Sequence, residues 1–511
     1  SVEEALATGA PAQVSVTRFS ADTHFLLHNL SVFVQDAWRT TPRLTLSYGV
    51  RYELNPPPAA DPLLPYTFNG LDDPLTMTLA PPNTALWQTQ RNAFAPRLGA
   101  SYVVSDAHDV VVRGGVGVYY DLGVGMALRG YSSFPAQATR VVASPGPLPV
   151  ADAALEPLSY SLDPPYTTEF YVAQPDLRLP YTRQWSAAVE KGLGRSQSIT
   201  ASYVGSQGRR LLRTEALTNV APNPATGTSG YTQINPAIFG PTARVHVTRN
   251  ASASRYHAMQ LQYQRRMQRG VQVLASYTLA SSRDNVSDES LVGTPVGGPP
   301  GFPVDPAGEF GPSDFDIRHH AVGSVTWTLP SPASGVARAV LGGWGVDAIG
   351  RYQSGAPLSV IVTTADPINA AVAVSRRADL VPGVWPWLDD ATAPGGRRLN
   401  RQAFAVPPAG TQGTLARNAL RGFPLRQVDL SLRRQFATGS RARLQLRVDA
   451  FNVLNVVNFR DPVVSLTDPQ FGQSTGMAGS QLSTSSAGVG FNSLYQVGGP
   501  RSMQASLKVL F

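Results

Sequence analysis

The sequence predicts an all-β fold, a large antiparallel transmembrane β-barrel of which this chain supplies about 13–14 strands. Three observations predict it. Apolar and polar residues alternate with period two in segment after segment, as strands with two unlike faces require. The segments pair through short turns while long loops separate the pairs, the expected asymmetry of short periplasmic turns and long extracellular loops. One face of each strand is aliphatic and the other carries arginine, glutamine and aspartate.

The carboxyl terminus shows the pattern most cleanly. Met503, Ala505, Leu507, Val509 and Phe511 share one face; Ser502, Gln504, Ser506 and Lys508 share the other. Phe511 is expected to anchor the terminal strand in the membrane. Earlier pairs follow in order: 30–38 with 43–54, 93–104 with 109–120, 181–190 with 196–205, 255–266 with 271–280, 314–329 with 342–353, and 426–436 with 441–451. The segment 501–511 makes thirteen, and a weaker alternation at 13–19 is the candidate fourteenth. Between pairs lie loops rich in Pro, Gly, Ser, Thr and Asn at 55–91, 121–180, 206–254, 281–313, 354–425 and 455–500. Asn69-Gly70 reads as a hairpin tip.

The facing residues identify the solvent on each side. Arg441, Arg443, Gln445, Arg447 and Asp449 lie opposite Ala442, Leu444, Leu446, Val448 and Ala450. Turned to lipid, such charges cost about 2–4 kcal/mol each near the midplane; turned into a wet bore they cost little. Arg443, Arg447 and Asp449 are therefore expected to face the lumen. Asp314, Asp316 and Arg318 are read the same way, as an ion-pair ladder on one strand face. Trp38, Tyr119, Trp185, Tyr203, Trp327 and Trp344 suit interfacial girdles.

Composition narrows the classes. Among 511 residues there is no cysteine, which removes disulfides, thiol nucleophiles and cysteine-bound metals. No apolar run reaches the length of a membrane helix, and a mean hydropathy of −0.10 is what two averaged strand faces give. The net charge is +8, and only Lys191 and Lys508 are lysines. The arginines are scattered along strands, with no basic helix and no aromatic–basic stripe, so no nucleic-acid partner is expected. Ser1 has neither Met nor a leader before it, so an export signal is expected to have been removed or to lie upstream.

Several phrases carry a resemblance: V-Q-D-A-W-R-T-T-P-R-L-T-L-S-Y-G-V-R-Y-E (34–53), F-A-P-R-L-G (94–99), R-G-G-V-G-V-Y-Y-D (113–121) and Y-V-G-S-Q-G (203–208). Further along come S-D-F-D-I-R-H (313–319), Q-S-G-A-P (353–357), L-R-G (420–422) and A-F-N-V-L-N (450–455). In this order and spacing the chain resembles TonB-dependent outer-membrane transporters, most closely their Oar-like group. Members of that group carry a carboxypeptidase-regulatory-like domain ahead of plug and barrel. The resemblance implies a barrel of about 22 strands with a plugged lumen. It implies the TonB–ExbB–ExbD machinery as partner through a more amino-terminal region. It also implies the barrel-assembly machinery as partner through the final strand, the lipid bilayer as surroundings, and the outer membrane of a Gram-negative bacterium as location. Residues 1–511 are then the carboxyl-terminal part of the barrel, with plug, TonB box and regulatory-like domain outside the chain. A passive porin-like channel and a surface adhesin or scaffold are the alternatives, with a soluble carbohydrate-binding sandwich last.

No enzymatic role and no cofactor are expected; H-E-x-x-H and the phosphate-cradling G-x-x-x-x-G-K are absent. His319 and His320, adjacent in a strand, point to opposite faces and do not chelate one metal. Asp284, Asp288 and Glu289 lack the spacing of a calcium loop, so no metal site is expected. Substrate contacts are expected from loop aromatics, with Trp385, Trp387, Tyr131, Tyr160 and Tyr231 as candidates.

Overall fold

The computed structural model describes residues 13–19, 25–60, 67–81, 84–121, 127–132, 134–135, 137–143, 152, 163–219, 221–223, 225, 232–241, 243–287, 308–332, 334–365, 373–438, 442–481 and 497–510. Phe511, Tyr160, Tyr231, Asp288 and Glu289 lie outside them.

Thirteen strands form one wall, each hydrogen-bonded antiparallel to its neighbour in sequence. They are β1 (Leu30–Arg39), β2 (Leu44–Leu54), β3 (Ala93–Ser105), β4 (Val110–Tyr120), β5 (Tyr181–Gly192), β6 (Gln197–Thr218) and β7 (Arg244–Gln268). The wall continues with β8 (Val271–Asp284), β9 (His319–Thr328), β10 (Trp344–Gln353), β11 (Leu425–Thr438), β12 (Ala442–Phe451) and β13 (Ser502–Leu510). Among the described residues nothing pairs with the free edges of β1 and β13.

Register puts like beside like. Ala505, Val448, Leu432, Val346, Trp327 and Val271 make one row across six strands. The adjacent row, on the opposite face, is Gln504, Asp449, Ser431, Asp347, Thr326 and Gln272. The apolar face is uncovered: Leu98 is 61% exposed, Leu507 65% and Met503 72%. Left in water, each such side chain forgoes about 1.5–3 kcal/mol of burial; a bilayer supplies it. This excludes the soluble sandwich, whose second sheet would have covered these rows.

Local chemistry joins and shields neighbouring strands. The β7–β8 turn is Arg269-Gly270, both with positive φ (52° and 77°), the two-residue geometry that matches strand twist. On the outer face Gly205 lies beneath the Trp185 ring, where a Cβ would stand 2.1 Å from the indole. The ring thus shields a backbone that lacks a side chain of its own.

Four expectations are corrected. The segment Gln13–Phe19 is a strand, but it pairs with Gln137–Ala143 in a separate two-stranded sheet and is not a fourteenth wall strand. β6 and β7 run 22 and 25 residues, far into the segment read as the loop 206–254. β9 starts at His319, so Asp314 and Asp316 stand in a turn before it. Asn69-Gly70 opens a longer connection between Phe68–Asn69 and Thr78–Leu79 and is not a two-residue tip.

At the end opposite the short turns, the long loops fold into two lobes with cores of their own. The first packs Phe68, Met77, Phe134, Tyr166, Phe170, Ile234 and Phe239 on Val245 and Val247 of β7, where Glu169–Ala173 adds a parallel strand. The second, built from 357–425 and 459–472, packs Leu358, Val360, Val362, Leu399, Phe404, Leu415 and Phe471.

Candidate functional site

The polar face of β10–β13 is a hydrogen-bonded charged wall around a concavity of about 450 Å³. Period two puts Asp347 and Arg351 of β10, Asp429 and Arg433 of β11, and Arg447 and Asp449 of β12 on this face. Asp347 takes Arg433 at 3.1 Å and Arg447 at 3.9 Å; Arg447 also reaches Asp449 at 2.8 Å. Arg351 pairs with Asp429 at 3.2 Å, and Gln427 donates to the same carboxylate. Arg443 and Lys508 add cation there, so bases outnumber acids. Arg443, Arg447 and Asp449 thus share one face with Asp347, Arg351, Asp429 and Arg433, whose alternation was the signal available in the sequence.

Further round, the same face is smoother. Gly49, Gly99, Gly115 and Gly117 leave backbone bare, and Arg97 lies 4.3 Å over the Tyr119 ring. A Cβ on Gly117 would stand 3.1 Å from that ring and 3.2 Å from Arg97. Tyr119 therefore faces inward with Gly117 and is not a girdle residue. Trp38, Trp185, Tyr203, Trp327 and Trp344 take the outer face. His319 bonds the Tyr277 hydroxyl through Nδ1 at 2.8 Å, and no metal-binding cluster occurs among the described residues.

Above the wall, three arginines of the second lobe clasp the loop before β9. Arg377 grips Glu309 with two bonds, 2.5 and 2.6 Å. Arg417 bonds Asp284 at 2.5 Å, Asp314 at 3.2 Å and Ser287. Arg421 bonds Asp316, which also accepts from the Ser282 amide at 2.6 Å. Asp284 and Asp316 are almost fully buried. Their charges are tolerated because guanidinium pairs and backbone donors saturate them. The predicted ladder of Asp314, Asp316 and Arg318 is thus replaced: both aspartates are held by the second lobe, and Arg318 is exposed. Asp284 is paired with a cation of the protein itself, Arg417.

The aromatic candidates separate. Trp385 is 75% exposed on the second lobe. Trp387 is a packing residue: Arg397 lies 4.2 Å over its ring and 5.1 Å over Phe423, and burial lowers the Arg397 pKa. Tyr131 sits in the short 3₁₀ helix Ala127–Ser132. In the first lobe, buried His246 stacks on Tyr171 at 4.3 Å, with Nε2 3.6 Å from Glu169. Burial opposes the Glu169 charge, but His246, Arg244 and Arg129 outweigh it and hold the carboxyl down to about 2. Burial, with the Glu169 charge, pushes the Tyr171 hydroxyl up to about 12.

One motif escapes the sequence reading. Gly472-Gln473-Ser474-Thr475-Gly476 spells the G-x-S-x-G of a hydrolase nucleophile. It lies in a loop, and the buried Ser474 hydroxyl bonds the carbonyls of Arg460 (2.6 Å) and Gly476 (3.2 Å). The strand-to-helix elbow that exposes such a serine is not formed here.

Comparison with known proteins places this architecture. No curated protein matches the sequence. Among solved structures, the outer membrane transporter YddB from Escherichia coli is similar at 11% identity and a TM-score of 0.47, over 95% of this chain and 45% of that one. The pyoverdine outer membrane receptor FpvA from Pseudomonas aeruginosa PAO1 is similar at 12% identity and a TM-score of 0.45, over 96% and 43%. The chain therefore spans less than half the length of either. The family model described as outer membrane beta barrel domain matches residues 4–503. The chain belongs to that outer membrane β-barrel family, and its place is the outer membrane of a Gram-negative bacterium.

Proposed function

We propose that the chain forms barrel wall and extracellular lobes of a TonB-dependent transporter of the Oar-like group, moving a bulky substrate across the outer membrane. The observation that carries this reading is a charged, hydrogen-bonded inner wall lying beneath two folded lobes. Such a wall suits a wide wet bore, and lobes with their own cores suit capture before passage. The phrases 34–53, 94–99 and 313–319 support the same family. TonB–ExbB–ExbD would supply the energy, and the barrel-assembly machinery would read β13 and the terminal Phe511. Trp385 would offer the substrate a stacking surface, and Tyr131, Tyr160 and Tyr231 are the further candidates for stacking. Trp387 would act at one remove, by holding Arg397 and the lobe in shape.

Uptake by whole cells tests the reading. A strain expressing the full reading frame should lose uptake when TonB is deleted or the proton-motive force is collapsed. Uptake that survives both treatments argues for a passive pore. Binding with no uptake at all argues for an adhesin. Trp385→Ala should weaken capture by about five-fold, the worth of one aromatic stacking contact of about 1 kcal/mol.

A further inference from the structure

The connection between β9 and β10, residues 329–343, stands apart from the tight turns at the same end of the wall, because it contains a helix. That helix, α1 (Gly335–Leu341), buries none of its residues. Val336 is 81% exposed, Val340 55% and Leu341 59%. At about 100° per residue, 336, 340, 337 and 341 sweep one continuous apolar arc, and Arg338 lies outside it, about 160° from both Val336 and Val340.

Its seat is specific. Trp344 donates Nε1–H to the Val340 carbonyl at 3.1 Å. Arg434 donates to the carbonyls of Ala339 and, at 3.3 Å, Gly342. The Arg434 guanidinium lies 5.1 Å over Trp344 and 4.5 Å over Phe436. Trp344, Arg434 and Phe436 all belong to the outer face, in line with Val346 and Leu432. The helix is thus moored to the lipid-facing side of the wall, not across the bore, and its apolar arc continues the lipid-facing rows. The same mooring accounts for Arg434, a charge on the lipid side, which donates through Nε and Nη2 to helix carbonyls and lies over two aromatic rings.

We infer that α1 is an interfacial anchor: Val336, Val340 and Leu341 enter the acyl boundary of the phospholipid leaflet at the short-turn end, with Arg338 toward headgroups and water. This rests on the membrane assignment and not on transport. Helices with one apolar arc and a charged opposite side lie in that plane.

The chain has no cysteine, so single labels report without background. The full chain carrying Val336→Cys, Val340→Cys or Arg338→Cys is spin-labelled and reconstituted in phosphatidylethanolamine–phosphatidylglycerol vesicles. Collision with oxygen, which partitions into acyl chains, is compared with collision with a water-soluble nickel chelate. Leu432→Cys serves as the lipid-facing reference and Lys508→Cys as the bore-facing one. Labels at 336 and 340 should behave like 432, with an oxygen-to-nickel ratio several-fold above that at 338. Equal, nickel-accessible labels at all three helix positions overturn the anchor. So does low access to both reagents with dipolar broadening, which would mark a second copy as the occupant, or low access without broadening, which would mark another protein. Circular dichroism of each labelled sample establishes that its strands have formed, so a misfolded variant is recognised and replaced by Leu341→Cys.

Discussion

The wall and the lobes are held together by opposite means. The wall has no core: its apolar rows face lipid, its polar rows face the bore, and its ion pairs stay partly exposed, as Arg447 (42%) and Asp449 (15%) do. The lobes have cores, and the carboxylates that the second lobe's arginines clasp are buried, Asp316 at 1% and Asp284 at 3% side-chain exposure. Partly exposed pairs contribute little, roughly 0–1 kcal/mol, whereas stripping a partner from a buried pair costs about 3–5 kcal/mol. Damage to charges should therefore spare the wall and unravel the lobes.

The largest effect follows from the bidentate clasp. Arg377→Ala leaves Glu309 buried without its two donors and should destabilise the second lobe by about 3–5 kcal/mol. Hydrogen exchange on the bilayer-embedded protein should quicken across 357–425 while wall amides keep their protection. Unchanged exchange in the lobe would show that the clasp is dispensable; loosening that spreads into β10 and β11 would show that wall and lobe are one cooperative unit.

Within the wall, polarity of face should outrank everything else. Ala275 and Ser276 are neighbours of similar size in β8, the first on the apolar face opposite Tyr263 and Gly323, the second on the polar face. Ala275→Arg should cost about 2–4 kcal/mol of folding into lipid, and Ser276→Arg under about 1 kcal/mol. Refolding equilibria in vesicles measure both. Equal penalties would mean that the two faces meet the same solvent.

What was legible in the sequence follows this same division. Wherever a strand separates two solvents its side chains alternate, and all thirteen wall strands could be read from that alone. The outer ends of β6 and β7 were hidden because the lobes cover them. Residues 244–248 are buried in succession: Arg244, Val245, His246, Val247 and Thr248 still alternate in polarity, but both of their faces are covered, so nothing in the pattern marks where bare wall ends and lobe begins. Asp314 and Asp316 imitated a strand by spacing, although turns also place polar residues two apart. The clasp could not be read: Arg377 and Glu309 are 68 residues apart, and Arg417 and Asp284 are 133 apart. The inner-wall cluster was half legible, since period two gives the face of Asp347 but not which arginine it meets. Trp385 and Trp387 read alike in V-W-P-W, and only packing separates an exposed ring from one that holds Arg397.

The smallest expected effect is a pH dependence confined to the first lobe. The Glu169 carboxyl is held at about 2 against an ordinary 4.5, so the folded lobe favours its charged form. That preference adds stability in full above about pH 4.5 and is lost as pH falls from there through about 2. Glu169 is half exposed, so solvent and salt screen the interaction and the gain is modest. Limited proteolysis of 163–249 should accelerate in the wild type as pH drops through this window. Glu169→Gln should start less stable and change less over the same range, while cleavage in the wall turns stays constant for both. Other carboxylates titrate in the same interval, so the difference between the two proteins is the quantity that matters. Parallel curves would place the lobe's acid sensitivity elsewhere, and His246 would then be stacked on Tyr171 for packing alone.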